Sequence, residues 1–508
     1  MSYSSILFTD GAAPGDVPEP AYFRDLHLDQ IADEIAEHEK EYDVRPYFRH
    51  ALSDANSILY RQEAIRDLRR EDVMRLVRTF CERMETMRRQ LSQRDKLHAE
   101  LQKCRWLLHA VETYCSAVLD LTAALQRSEL TSRAFGSLRD FMAAHVVAET
   151  FQALLATSQH LVSRLAEIRY CVLVGSGFVT VSPYESQPDY STLVAETFEK
   201  FHRTKAKNYR LTFNEYPHMN HVEESILDFV AKLHPEPFDD LRSFASANEA
   251  FADSAITRFD AEVRFYVAYL DHIASFEESG LSFCLPELAV TDKRVGACAT
   301  FDLALANNLA QTNTPVVVND FELRDGERIF IVSGPNQGGK TTFARTFGQL
   351  HHLACLGLPV PGISARLLVF DRLFTHFERE ENPDLLRGKL QDDLVRIHDI
   401  LDSATSRSVV IINEIFSSTT LADATFIATK VSERLIELGA VCVCVTFLVD
   451  LTRLSDTVVS LVSEVLKDRP DVRTFKVVRA TADGRSYAES IAEKYRLTYD
   501  MLKGRLST

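Results

Sequence analysis

The chain has 508 residues, 46% hydrophobic and 26% charged, which is too long for one hydrophobic core and fits roughly three domains of ordinary size. With 57 Lys plus Arg against 73 Asp plus Glu the formal charge is −16, which excludes a chain coated in basic residues for nucleic acid but not a local basic face. No apolar run approaches the roughly 18–20 residues of a membrane span, the first residues carry no basic n-region, and nine scattered cysteines read as reduced thiols. A soluble cytoplasmic protein with no membrane contact is expected.

Residues 1–20, rich in Gly, Pro and Ser, read as a flexible N-terminal segment. Leu26, Leu28, Ile31 and Ile35 then recur at helical spacing within an acidic stretch. From Arg61 to Leu125 no Gly or Pro intervenes. Leu76, Phe80, Met84, Met87 and Leu91 form one apolar stripe, and Leu97, Leu101, Leu107, Val111 and Tyr114 continue it, so long packed helices are predicted. A further helical stretch covers Arg133–Ile168, which makes residues 21–168 a helical region. Near Arg169 the period changes. Tyr170–Val174 and Phe178–Val181 flank Gly-Ser-Gly and predict a hairpin inside a partly β insertion over residues 169–245. Helical patterns at 221–233 and 247–278 lead into a helical return over 246–300.

After residue 300 strands and helices alternate. Arg328–Ser333, Leu367–Phe370, Val409–Ile412 and Val441–Val445 are short apolar runs spaced by helical segments, the pattern of a mainly parallel sheet covered on both faces. The predicted fold class is therefore multidomain: a mostly α-helical region with a small β-containing insertion, followed over 301–508 by an α/β nucleotide-binding domain.

Gly334-Pro335-Asn336-Gln337-Gly338-Gly339-Lys340-Thr341, followed by Thr342, fits GxxxxGK[ST] between a predicted strand and a predicted helix. The glycines let backbone N–H groups turn inward around phosphate oxygens, Lys340 brings a point charge, and Thr341 offers a hydroxyl to Mg²⁺. ATP with Mg²⁺ is the expected ligand. Val409–Ile412 ends in Asn413-Glu414. In a phosphate-loop protein that position delivers a metal-orienting carboxylate and then a Glu that polarises the attacking water. Glu414 and Lys340 are the catalytic candidates. Asn413, a neutral amide, reaches the metal only through a bound water.

These residues resemble the ATPase domain of the MutS family. GPNQGGKTT is similar to that family's GPNMGGKST. Val318–Leu323, Gly357–Pro361, Ala365-Arg366, Asp371–Thr375, Asn413–Ile415 with Thr419, Thr420 and Asp423, and Arg485–Ala488 are similar to further family segments in order. Tyr60–Leu68 and Leu270–Glu287 resemble its core helices more loosely. The resemblance implies a core and lever over 21–168, a clamp over 169–245, a P-loop ATPase, a homodimer whose ATP sites are completed across a two-fold interface, and DNA as partner.

Three departures are visible. The chain reaches its core helices after some twenty to sixty residues, so the family's mismatch-binding domain with its Phe-x-Glu wedge is expected to be lacking. Thr446-Phe447-Leu448 stands where the family has a His. No Ser occurs near Leu386–Leu390, where a signature Ser is expected. No nuclease motif follows Arg485. The expected function is a MutS-like ATPase, possible slow turnover included, that couples nucleotide state to mismatched, branched or otherwise non-B DNA. The alternative is an ATP-gated module with weak or no hydrolysis that clamps an unidentified protein partner. A small-molecule kinase is disfavoured because nothing resembles an acceptor site or lid. Two basic tracts bear on DNA: residues 61–105, with thirteen Lys or Arg against eight acids, and Lys200–Arg210 among Phe198, Phe201, Tyr209 and Phe213.

Overall fold

The computed structural model describes residues 3–9, 18–187, 193, 197, 219–378, 388–416, 419–466 and 469–482. In chain order the helices are α1 (Tyr22–Asp25), α2 (Leu28–Glu37), α3 (Arg45–Arg49), α4 (Ala55–Leu68), α5 (Glu71–Lys96), α6 (Glu100–Arg127), α7 (Arg133–Val147), α8 (Glu149–Glu167), α9 (His221–Leu233), α10 (Pro235–Ala247), α11 (Ser254–Glu278), α12 (Leu303–Ala310), α13 (Lys340–Cys355), α14 (Lys389–Ser403) and α15 (Leu421–Leu438). The strands are β1 (Tyr170–Gly175), β2 (Phe178–Pro183), β3 (Phe283–Cys284), β4 (Glu287–Ala289), β5 (Val295–Thr300), β6 (Asn319–Leu323), β7 (Ile329–Ser333), β8 (Val360–Pro361), β9 (Ser364–Leu368), β10 (Leu373–His376), β11 (Val409–Asn413), β12 (Val441–Val445), β13 (Val458–Leu466) and β14 (Arg469–Arg479). Two compact units result, one of residues 1–3, 72–130 and 137–260, the other of 4–71, 131–136 and 261–508.

In the first unit α5 and α6 carry the apolar stripes read from the sequence: Phe80, Met84 and Met87 are buried on α5 with Leu76 and Leu91 half-buried, and Leu101, Leu107, Val111 and Tyr114 are buried on α6. Their basic residues are partly paired. Arg83 bonds Asp120 and Arg88 bonds Asp260. β1 and β2 form the predicted antiparallel hairpin, with Leu173, Val174 and Phe178 exposed. A small core of Leu101, Val230, Ala231 and Phe238 ties α6 to α9 and α10. The helical pattern read around 247–278 is α11, which starts at Ser254, and α10 (Pro235–Ala247) precedes it as a further helix. The basic and aromatic residues from Phe198 to Phe213 lie outside the described residues.

The second unit is built on a six-stranded mixed sheet of order β10-β11-β12-β7-β13-β14. Pairing is parallel from β10 to β13 and antiparallel only between β13 and the edge strand β14. β7 and β12 are buried at every residue and β11 at all but the last, the state that continuous runs such as IFIVS and VCVCV need. β13 alternates instead, as a strand with one wet face does. A second sheet, β4-β9-β5-β6, contains β9, so the run read as Leu367–Phe370 starts earlier and is not in the main sheet. The main sheet takes β10 there. Between them Asp371 turns the chain, its carboxylate accepting from the hydroxyls of Thr405 (2.6 Å) and Ser408 (2.9 Å).

The N-terminal segment departs from its expected flexibility. Ile6 and Leu7 are fully buried, and Phe8 is nearly so. The Glu262 carboxylate accepts from the Ser5 hydroxyl at 2.7 Å and the Ile6 N–H at 3.0 Å. Gly11, Pro14 and Gly15 lie outside the described set, whereas residues 3–9 carry an apolar triplet that buries itself. No helix among the described residues is long and apolar enough to cross a membrane.

Candidate functional site

β7 delivers the chain to Ser333, and residues 334–339 turn it into α13. The turn needs left-handed backbone at Gly334 (φ 119°), Gln337 (φ 57°) and Gly339 (φ 94°), and glycine takes that conformation without a Cβ penalty. Gly338 is fixed by contact instead. A Cβ there would lie 2.0 Å from Ser463 Oγ on β13. The same hydroxyl donates to Gly338 O at 2.8 Å, and Arg473 Nε of β14 donates to Asn336 O at 3.2 Å. The loop is thus held from outside by two strands more than a hundred residues downstream.

The loop opens on a cavity of ≈ 580 Å³ lined by Asn336 to Thr342, Glu414, Leu305 and Phe475. That volume suits a ligand of small-molecule size. Gly334 and Pro335 stand behind it, with their carbonyl oxygens accepting from Lys340 Nζ at 2.8 and 3.1 Å. Lys340 is buried, and its ammonium lies 4.3 Å from the centroid of the Phe447 ring. Burial pushes its pKa down, the Glu414 carboxylate pulls it up and Arg473 pushes it down again. Thr342 continues α13, its carbonyl accepting from Thr346 Oγ1.

β11 lies two strands away from β7, with β12 between them. Asn413 ends it, and Asn413 Oδ1 accepts from Thr341 Oγ1 at 2.9 Å, so the hydroxyl and the amide predicted to serve a metal are in contact. Glu414 follows with φ 57°, and its N–H is given to Val445 O at 2.9 Å. Phe416 is left-handed too (φ 59°), and each such non-glycine residue costs about 1–2 kcal/mol; Ile415 and Phe416 are buried. Every sequence-predicted site residue therefore lies in one neighbourhood, with Asn413 reached through Thr341.

Five residues of this neighbourhood were given no role from sequence: Leu305, Asn319, Ser463, Arg473 and Phe475. Asn319 begins β6, and its amide bridges β14, donating to Phe475 O at 3.1 Å and accepting from Val477 N–H at 2.8 Å. It holds Phe475, itself left-handed at φ 58°, as one wall of the cavity. Asn319 falls within the lead-in segment already compared with the family; the other four carry no local pattern. His351 and His352 of α13 are not site residues. They bond the carbonyls of Phe347 (2.7 Å) and Phe48 (2.8 Å), and burial lowers each pKa to about 4.

Arg485–Ala488, Thr420's neighbours 417–418 and residues 379–387 lie outside the described residues. Gly388 and Lys389, from the stretch where the signature Ser was sought, start α14, and Lys389 pairs with Glu378.

Residues 330–503 match the family model of MutS domain V. The DNA mismatch repair protein MutS of Thermosipho melanesiensis is 31% identical over 182 residues, 35% of this chain and 22% of that protein. Endonuclease MutS2 of Gemmatimonas aurantiaca is 32% identical over 185 residues, 36% of this chain and 22% of its own length. The DNA mismatch repair protein MutS of Thermotoga neapolitana is 33% identical over 178 residues, 34% and 22% respectively. The chain thus spans 22% of the length of these curated relatives. The resemblance read from the phosphate loop and its neighbours is thus matched over residues 330–503, where the chain is similar to MutS domain V.

Proposed function

We propose that the chain is a MutS-like ATPase that binds ATP with Mg²⁺ at Gly334–Thr342 and couples nucleotide state to the binding of DNA structures in repair or recombination. The observation that carries this reading is the contact of Thr341 with Asn413 beside a phosphate loop that opens on a ligand-sized cavity. Loop N–H groups and the N-terminus of α13 take the phosphates, and Lys340 neutralises their charge. Leu305 and Phe475 give the cavity apolar walls for a base. Thr341 Oγ1 and Asn413 are hard oxygen donors that suit Mg²⁺, the amide acting through a bound water; the ion, when bound, would neutralise charge on the transferring phosphoryl group. Glu414 accepts the proton of the attacking water. Because Asn413 adds no negative charge, turnover is slow.

The domain division goes with this reading: core and lever over 21–168, clamp over 169–245, return over 246–300 and ATPase over 301–508. A homodimer is proposed as well. Leu421 (74%) and Phe426 (66%) on α15 are large apolar side chains left exposed, as a protein-facing surface would be. The DNA-bound state is the whole-protein part of the proposal, supported by the similarity of residues 330–503 to DNA mismatch repair proteins.

The test is ATP hydrolysis by the purified chain, alone and with duplex, mismatched and four-way-junction DNA. Stimulation by one DNA structure supports the reading. ATP binding with a flat, near-zero rate and no DNA affinity defeats it, and favours an ATP-gated module that clamps a protein partner. Phe447 and Asn413 point to that second reading, since each replaces a polar or charged group with a neutral one. Salt separates the two, because phosphate contacts make affinity fall steeply with ionic strength.

A further inference from the structure

The hairpin of β1 and β2 has one strand attached and one left open. Val181 of β2 packs against the small core of Leu101, Val230, Ala231 and Phe238. Among the described residues no strand other than β2 pairs with β1. The two-residue turn Ser176-Gly177 makes Gly175 and Phe178 a hydrogen-bonded pair. From there the alternation turns the N–H and C=O groups of Tyr170, Val172 and Val174 away from β2. Val172 is 40%, Leu173 65% and Val174 76% exposed, and the Phe178 ring lies across Gly175 at the tip. Open edges are commonly blunted with Lys, Pro or a bulge. β1 has none of these, and Tyr170–Tyr184 holds no charged residue in a chain that is 26% charged. Without a cation the hairpin has nothing to neutralise a phosphate backbone. Two strands are also one fewer than an independently stable sheet needs.

We propose that β1 pairs antiparallel with β1 of a second copy across a two-fold axis at Val172, forming one four-stranded sheet. An edge without charge meets its own copy without repulsion, and the copy brings the same three outward residues. Centring on Val172 is the register that uses all of them: Val172 faces its counterpart, and Tyr170 faces the counterpart of Val174. Cys171 then stands opposite the counterpart of Leu173 in a non-hydrogen-bonded pair, where Cα atoms approach to about 4.5 Å, within disulfide range. The two side chains share a face because the residues are two apart in the strand. This pairing deepens the homodimer reading with a contact that needs no nucleotide.

The experiment uses the full chain. Leu173→Cys is oxidised with copper phenanthroline beside the unmodified chain, and the products are read by non-reducing gel and peptide mass spectrometry. A dimer joined through Cys171 of one copy and the introduced thiol of the other is expected in the variant alone. Val172→Lys and Val172→Glu each place like charges on the axis, whereas an equimolar mixture places opposite charges there. Sedimentation equilibrium should show the mixed dimer about three- to tenfold tighter than either variant by itself. No Cys171 cross-link, or a mixture no tighter than its parts, would overturn the proposal. If the unmodified chain dimerises all the same, the homodimer reading stands through another face; a monomer at every concentration removes both.

Discussion

Replacing Gly338 with Ala tests the claim that β13 shapes the phosphate loop. Gly338 has no left-handed backbone, so the substitution probes contact rather than strain. The new Cβ would meet Ser463 Oγ at 2.0 Å, Pro335 O at 3.0 Å and Ser463 Cβ at 3.2 Å. Ser463 is buried, and turning its hydroxyl away would break the 2.8 Å bond to Gly338 O and leave a polar group without a partner, at about 1–3 kcal/mol. β13 cannot retreat easily, because Val458–Val462 pair with β7. The loop has to move instead, at about 1–3 kcal/mol, and nucleotide affinity should fall roughly tenfold or more, since every 1.4 kcal/mol is a factor of ten. Ser463→Ala alone removes one hydrogen bond, worth about 1 kcal/mol, but it also removes the nearest clashing atom. Gly338→Ala should therefore cost markedly less in the Ser463→Ala background. Denaturant unfolding and titration with an ATP analogue read both quantities in the four members of the cycle. Equal cost of Gly338→Ala in both backgrounds, or none in either, would refute the reasoning.

Glu414→Ala should lower single-turnover hydrolysis by about 10²–10⁴-fold with ATP binding kept, and Asn413→Asp should raise it; an unchanged Asn413→Asp rate rejects the missing charge as the reason for slow turnover. Gly357→Ala should lower the thermal midpoint through a loss of about 2–4 kcal/mol, because the residue is left-handed (φ 76°) and its Cβ would lie 2.5 Å from Arg61 Cβ. His272, His351 and His352 are held neutral by burial with pKa values lowered to about 4, below the unfolded 6.5. Their contribution is full above pH 6.5 and is lost as pH falls towards 4, about 2 kcal/mol per histidine between pH 7 and 5. Unfolding measured across that window should show a shallower slope for His272→Phe.

What the sequence carried and what it did not divide along a physical line. The phosphate loop was legible because its requirements are local: glycines at the turns, a lysine and a hydroxyl at the start of a helix, and a fully apolar strand before them. The buried strands β7, β11 and β12 were legible for the same reason, since a strand buried on both faces has nowhere to put a polar residue. β10 was missed because Leu373–His376 is four residues long and ends in His376, a polar residue that is nonetheless buried against Asp393 of α14. The contacts that close the site were invisible because they join distant segments: Ser463 to Gly338, Arg473 to Asn336 and Asn319 to Phe475. A serine on an alternating strand and a phenylalanine at a strand kink have no pattern of their own. Phe447 lies between these cases. Its place where the family has a His could be read directly, but only the structure shows its ring 4.3 Å from the Lys340 ammonium. Local chemistry thus marks the loop, and the long-range contacts that shape it become legible only in the fold.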